Sequence, residues 1–274
     1  MCTPGYGITL DRFMRVAHLL PRQSGNMAVD NYRFVNALLW MCRTGAPWRD
    51  LPECYGKWIT VCRRFNRWSG NGAMEHLFTA LQEERIIGVE IRVLAMNSTS
   101  VKVHQHAAGA PKKGGSRSVG VSRGGRNTKV RVVSDSGSTL VEIHPGPGNE
   151  HDAAHGRRSM AAPGAFMGAH LLMDRAYEGD STRLLAESFG LTTVVPPKRN
   201  RTAPWDYDRE AYKGRNMVER VFNRMKHHRK AAARYDRLDE TFLAEPRLIL
   251  IAIYLKNTAK NSKCKYTLIH DWYA

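Results

Sequence analysis

Two carboxylates stand where the sequence permits chemistry. Asp174 closes the apolar run of "AHLLMDRAYEG", so its side chain is expected at the carboxyl edge of a sheet. Glu219 lies in "YKGRNMVERVFNRMK" with Tyr212, Arg215 and Lys226, and the four residues recur at spacings that place them on one face of a continuous helix. Leucines normally occupy such a register, so a polar stripe calls for a reason. A plain Arg215–Glu219 surface pair, contributing about 0.3 kcal/mol, is the simplest one. The chemistry that needs more is metal-assisted cleavage and joining of phosphodiesters. Two magnesium ions about 4 Å apart activate the attacking oxygen and stabilise the leaving one. Hard cations require oxygen ligands from converging elements, and the flanking phosphates call for arginine and lysine. A third acid is expected from an earlier strand, and there "LAMNSTSVKVHQH" carries Asn97 at the expected end of the strand. An amide oxygen can touch a cation, but it brings no charge, and its NH2 is a donor.

These residues must be positioned by a chain of 274 residues, long enough for one main core and a smaller appended domain. Residues 1–88 read as a helical domain and 89–274 as a mixed α/β domain. In the first, "DNYRFVNALLWMCRTG" sets Phe34, Leu38, Leu39 and Cys42 on one helical face and stops at Thr44-Gly45 before Pro47. In "KWITVCRRFNRWSGNG", Trp58, Val61, Cys62, Phe65 and Trp68 form the apolar stripe, with Arg63, Arg64 and Arg67 beside or opposite it. Two helices around a turn, the second bearing arginines, suggest a helix-turn-helix that reads DNA; a helical bundle with solvated arginines is the plain alternative. In the second domain, three strands with hairpin links precede strand, helix, strand and a long helix from Tyr212 to Tyr235, giving a mixed sheet flanked by helices. "DETFLAEPRLILIAIYLKN" is a last apolar helix.

The charge points to the partner. Lysine and arginine number 42 against 25 aspartates and glutamates, a net +17 with a pI near 10.0, which fits a polyanion and nucleic acid first. A histone-like or ribosomal protein would be as basic, but smaller and less apolar. Between the first two strands, Lys112, Lys113, Arg117, Arg123 and Arg126 lie in a glycine-rich basic stretch expected to track phosphates. Five cysteines without a CxxC pair argue against a disulfide framework and for a reducing compartment. "LILIAIYL" is far short of the ~20 residues that span a bilayer, so a cytoplasmic, nucleoid-associated protein without membrane partners is expected. His104 and His106, read as alternating on a strand, lack a zinc-ligand partner at suitable spacing. Asp135 falls in a hairpin turn, and Asp152 is expected near the carboxylates as a supporting contact.

At these residues the sequence resembles the DDE transposases of bacterial insertion sequences, most of all insertion-sequence family five. Tyr212, Arg215, Glu219 and Lys226 match that group's Y-R-E-K signature at every spacing. "MDRAYEGD" resembles the segment of its second aspartate, with Arg175-Ala176-Tyr177 where lysine-glycine-tyrosine is usual, and "NSTSVKVHQHAAGA" the segment of its first, ordinarily Asp-Ser-Thr. "TGAPWRDLPECYGKW" resembles the DNA-binding leader and "ARYDRLDETFLA" the C-terminal helix, so the likeness spans nearly the whole chain. It implies a ribonuclease H-like core and two magnesium or manganese ions per site. Asn97, Asp174 and Glu219 would be the catalytic, metal-binding triad, with Tyr212, Arg215 and Lys226 on DNA. The implied partners are double-stranded DNA, as terminal inverted repeats and target, and a second protomer. Asn97 departs from the pattern and implies impaired catalysis, whether introduced by design or arising in a decayed or host-retained copy. A non-catalytic DNA-binding protein is the first alternative, and a metal nuclease unrelated to transposition the second.

Overall fold

The computed structural model describes residues 7–22, 29–84, 86, 92–108, 116–160 and 168–261. Four helices come first: α1 (Leu10–Met14), α2 (Asn31–Thr44), α3 (Trp58–Gly70) and α4 (Ala73–Glu83). Asp30 starts α2 by accepting from the Arg33 amide, 2.7 Å, and Gly45 ends it in the left-handed region at φ 66°. The expected apolar faces are buried, with Phe34, Leu38, Leu39 and Cys42 from α2 and Val61, Phe65 and Trp68 from α3 all in one cluster.

The sheet is built from β1 (Val93–Val103), β2 (Gly120–Ser122), β3 (Gly125–Asp135), β4 (Leu140–Pro147), β5 (His170–Met173), β6 (Thr192–Val194) and β7 (Ala233–Arg234). Its spine runs β4-β3-β1-β5-β6. β3 is antiparallel to both neighbours, while β1, β5 and β6 run parallel. This order, with a reversed second strand beside a parallel trio, is the ribonuclease H-like arrangement. β2 extends the start of β3, and β7 lies alongside the last residues of β1. The remaining helices are α5 (Gln105–Ala108), α6 (Asp152–Met160), α7 (Asp180–Ser188), α8 (Arg209–Lys213), α9 (Met217–Lys226), α10 (Arg229–Ala232) and α11 (Asp239–Asn261).

Alternation along β1 divides the core. Ala95 and Val101 join Val130 and Val132 of β3 under α9, whereas Leu94 and Met96 join Met173, Tyr177 and Met160 on the other side. α11 is apolar around most of its circumference and is buried accordingly. It packs on α2, α3, α4, α9 and β4, so the N-terminal helices share a core with the α9 face of the sheet. No helix of the described residues is long and apolar enough to cross a membrane.

Three local expectations are corrected. Asn97 is not at a strand end, because β1 continues to Val103 with β3 and then β7 supplying its hydrogen bonds. The helix expected from Tyr212 to Tyr235 is broken into α8, a 3-10 turn at Gly214–Asn216, α9 and α10. His228 is extended (φ −100°, ψ 121°), which turns the chain so that the Lys230 ammonium reaches Glu245 at 2.6 Å and Ala233-Arg234 can pair with β1. His104 and His106 do not alternate on a strand, since β1 stops at Val103 and α5 begins at Gln105. Among the cysteines, Cys42 and Cys62 are free thiols, while Cys54 is disulfide-bonded, a pairing the odd count did not suggest.

Lys230 and Glu245 are both nearly excluded from water. Burial alone would lower the pKa of the ammonium, and the Glu245 carboxylate outweighs this, so the Lys230 pKa stands above the ordinary lysine value. His228 has no such partner. Burial first, then Arg43, lower its pKa to about 4. Its unfolded value is about 6.5, so between pH 6.5 and 4 the unfolded chain takes up a proton that the folded chain refuses. This part of the stability is complete above about pH 6.5 and is lost as the pH falls towards 4. His228→Gln should therefore flatten the acid side of the stability curve by about 1–2 kcal/mol, allowing for partial exposure. Melting temperatures of both proteins from pH 7 to 4 measure this, and parallel curves would contradict it.

Candidate active site

The register of two parallel strands sets the site. Met96 of β1 pairs with Met173 of β5, so the next residues, Asn97 and Asp174, lie side by side where β5 ends and β1 continues. Asp174 turns the chain into a 3-10 helix at Arg175–Tyr177, its Oδ1 accepting from the Ala176 amide at 3.1 Å. Its Oδ2 accepts from Arg215 at 2.7 Å. Asn97 shares the face of Ala95 and Thr99, towards α9. There its Nδ2 donates to Glu219 Oε1 at 2.7 Å, and its Oδ1 accepts from the Ser98 amide at 2.8 Å. The two contacts settle the amide orientation, since the flipped form would oppose oxygen to carboxylate and NH2 to N–H.

α9 presents Glu219 because Met217, Val218, Val221, Phe222 and Met225 are all buried on its inner side. One helix length further on, Lys226 donates to Thr99 Oγ1. Tyr212, from α8, sets its ring 5.8 Å from the Arg215 guanidinium. Burial raises the Tyr212 pKa, and Arg215 opposes the rise. Although the helix is broken, Tyr212, Arg215, Glu219 and Lys226 thus all meet or adjoin the edge formed by β1 and Asp174.

Behind β1, on the α6 side, lies a second polar group that the sequence reading only touched. Asp152 starts α6 and accepts from Ser98 Oγ at 2.7 Å and Lys129 Nζ at 3.1 Å, and lies 3.8 Å from Arg131. Arg131 is 1 % exposed and also donates from Nε to the Tyr177 hydroxyl at 3.3 Å. Burial raises the Tyr177 pKa against the pull of Arg131. Ser98 and Asn97 point to opposite faces, so Asp152 supports the back of the strand and does not join Glu219. A signal was present: Lys129 and Arg131 alternate in the apolar "TKVRVV", and two cations on one strand face, one of them buried, demand a nearby acid. Thr99 could likewise have been found from its two-residue spacing to Asn97. Asp135 stays in its turn, accepting from the Thr139 amide.

The residues expected on DNA divide. Arg63 and Arg67 are exposed on α3. Arg64 is not: it is 5 % exposed, donates to Val29 O and Asn31, and lies over Phe34 and Trp68 at 4.2 and 4.7 Å. Burial, then Arg67, lower its pKa to about 10. It falls on the inner side of α3 and ties α3 to α2, which corrects its assignment to the exposed face. Arg117 is half-buried, Arg123 and Arg126 are exposed, and Lys112 and Lys113 lie outside the described residues.

A cation would need oxygens here. Asn97 instead turns its NH2 towards Glu219, and Asp174 is already paired with Arg215. Among the described residues, no group of three or more histidine, cysteine, aspartate or glutamate side chains is placed to hold a metal ion. The residues present do not fit a two-cation site.

Comparison with known proteins gives the class. Residues 89–253 match the family described as "Transposase DDE domain", and residues 8–78 match "Putative transposase of IS4/5 family". The chain belongs to the DDE transposase family of insertion sequences. Its relatives include an uncharacterized protein, y4sN, of Sinorhizobium fredii, 36 % identical over 40 % of this chain and 88 % of that protein. Another is the "Putative transposase for insertion sequence element IS6501" of Brucella ovis, 27 % identical over 47 % of this chain and 98 % of the relative. Similar solved structures include a piggyBac transposase synaptic complex with hairpin DNA (TM-score 0.48, 11 % identity, 92 % of this chain and 72 % of that one) and a pre-cleavage Mos1 transpososome (TM-score 0.28, 14 % identity, 89 % and 83 %).

Removing Asp152 should expose the cost of the buried Arg131 charge. Asp152→Ala is expected to lower the unfolding free energy by about 2–3 kcal/mol, and adding Arg131→Met should recover part of that loss. Urea unfolding of the single and double variants measures both effects. A single-variant loss below about 0.5 kcal/mol would show that Asp152 does not carry the charge balance.

Proposed function

We propose that the chain is a transposase that binds the terminal inverted repeats of its element as a homodimer, with Asn97 holding its cleavage site closed. The observation that carries this is the convergence of the Asn97–Glu219, Arg215–Asp174 and Lys226–Thr99 contacts on one edge of the sheet. Tyr212, Arg215 and Lys226 would hold the phosphates around the scissile bond, the target DNA among them. Arg63 and Arg67 on α3 would supply contacts to the duplex, as would Arg117, Arg123 and Arg126 of the sheet domain. The net charge of +17 supports a strong, salt-dependent attraction to DNA.

The same hydrogen bond favours a second reading, a transposase-derived protein that binds DNA without cutting it. In an intact three-carboxylate site, Asn97, Asp174 and Glu219 would be the positions gathering magnesium or manganese. Here the Asn97 amide engages Glu219, and it supplies neither charge nor a free oxygen for a cation.

The test replaces Asn97 by aspartate and offers both proteins DNA bearing the element's ends with magnesium or manganese. The Asn97→Asp protein should cleave at the ends in a cation-dependent manner, at least a hundredfold faster than the unaltered chain, while both bind the ends equally. Equal binding with no gain in cleavage would select the non-cutting reading. Efficient cleavage by the unaltered chain would contradict the closed site.

A further inference from the structure

At the far end of β1 from Asn97, three aromatic rings stand in series. The His104 ring lies 4.8 Å from that of His106, tilted by 38°, and 4.8 Å from that of Tyr235, tilted by 31°. Both outer members are exposed, Tyr235 by 37 %. A cluster of rings whose members reach solvent can be joined by another flat ring.

The backbone beneath it is tightly held. The His104 amide donates to Arg234 O at 2.9 Å, and the His106 amide approaches His104 Nδ1 at 3.4 Å. α5 is too short to close its own carbonyls, and three arginines from separate segments do so instead. Arg237 Nε donates to His106 O and Arg126 to Ala108 O, each at 3.3 Å, and Arg117 donates to Ala107 O. Arg126 and Arg237 are exposed, as is Lys102 at the end of β1. The nearby Asp239 is occupied by Arg234, Ser116 and the Ser118 amide. Stabilising α5 alone would need neither an open ring stack nor a rim of cations.

We infer that the rings of His104, His106 and Tyr235 form a stacking platform for an unpaired base of single-stranded DNA, with Arg126, Arg237 and Lys102 facing the adjoining phosphates. This rests on the DNA-binding reading above. Single-strand sites elsewhere combine these two elements, aromatic faces for bases and cations for the backbone. β1 supplies the spacing: seven residues from Asn97 to His104 span about 23 Å, or roughly seven base steps of a B-form strand. The platform would therefore capture a base several nucleotides from the cleavage point and favour DNA whose end is frayed or single-stranded.

The experiment uses the full chain and two duplexes of the same ~20 base pairs, one blunt and one with an eight-nucleotide single-stranded tail containing 2-aminopurine. The unaltered protein should bind the tailed duplex about tenfold more tightly and quench the 2-aminopurine fluorescence. Combined His106→Leu and Tyr235→Leu should abolish both effects and leave blunt-duplex affinity unchanged. Tyr235→Trp should keep the quenching, so a loss of fold in the leucine variant, checked by its melting curve, does not leave the idea untested. Unchanged quenching in the folded leucine variant, or the same affinity loss on both duplexes without quenching, would overturn the platform. Failure of the folded, unaltered chain to bind either duplex would overturn the DNA-binding reading beneath it.

Discussion

The site depends on how the charge of Glu219 is met. α9 is locked to the sheet by five buried apolar residues, which hold the half-buried carboxylate of its first turn against the sheet. It faces β1, whose position is fixed by nine antiparallel pairs with β3 and four parallel pairs with β5. Something on β1 must answer the negative charge, and the Asn97 amide does so at 2.7 Å. A third carboxylate at that position would repel Glu219 until a cation came between them. The amide thus cross-links strand and helix.

The same economy recurs around the site. Asp174 is balanced by Arg215, Asp152 by Lys129 with Arg131 close by, and Glu245 by Lys230. Each pair joins two separate elements: β5 to the turn before α9, α6 to β3, and α10 to α11. The last two elements also bind the N-terminal helices, because α10 packs on α2 and α11 on α2, α3 and α4. The position of Lys226 on β1 is therefore tied, through one continuous core, to the helix that carries Arg63 and Arg67.

Much of this was legible in the sequence. The apolar run before Asp174 and the helix stop at Gly45 each reflect a local rule that tertiary contacts did not override. What stayed hidden depended on distant partners. Period alone cannot end the long helix at His228, since the break is fixed by Lys230 meeting Glu245 and by two residues pairing with β1. Arg64 sits beside an apolar stripe, and only Val29 O, Asn31 and two rings reveal that it is buried. The end of β1 was misplaced at Asn97, where the polar run begins, whereas the side chains of Asn97, Ser98 and Thr99 find Glu219, Asp152 and Lys226 on the two faces of the sheet.

The central claim is that Asn97 satisfies Glu219 in place of a cation, and direct titration of the unaltered chain with manganese, followed by electron paramagnetic resonance of the free ion, tests it most simply. The account predicts no stoichiometric binding up to about 1 mM, the weak end of known oxygen-ligand sites. Binding of two ions per chain at micromolar concentrations would contradict it.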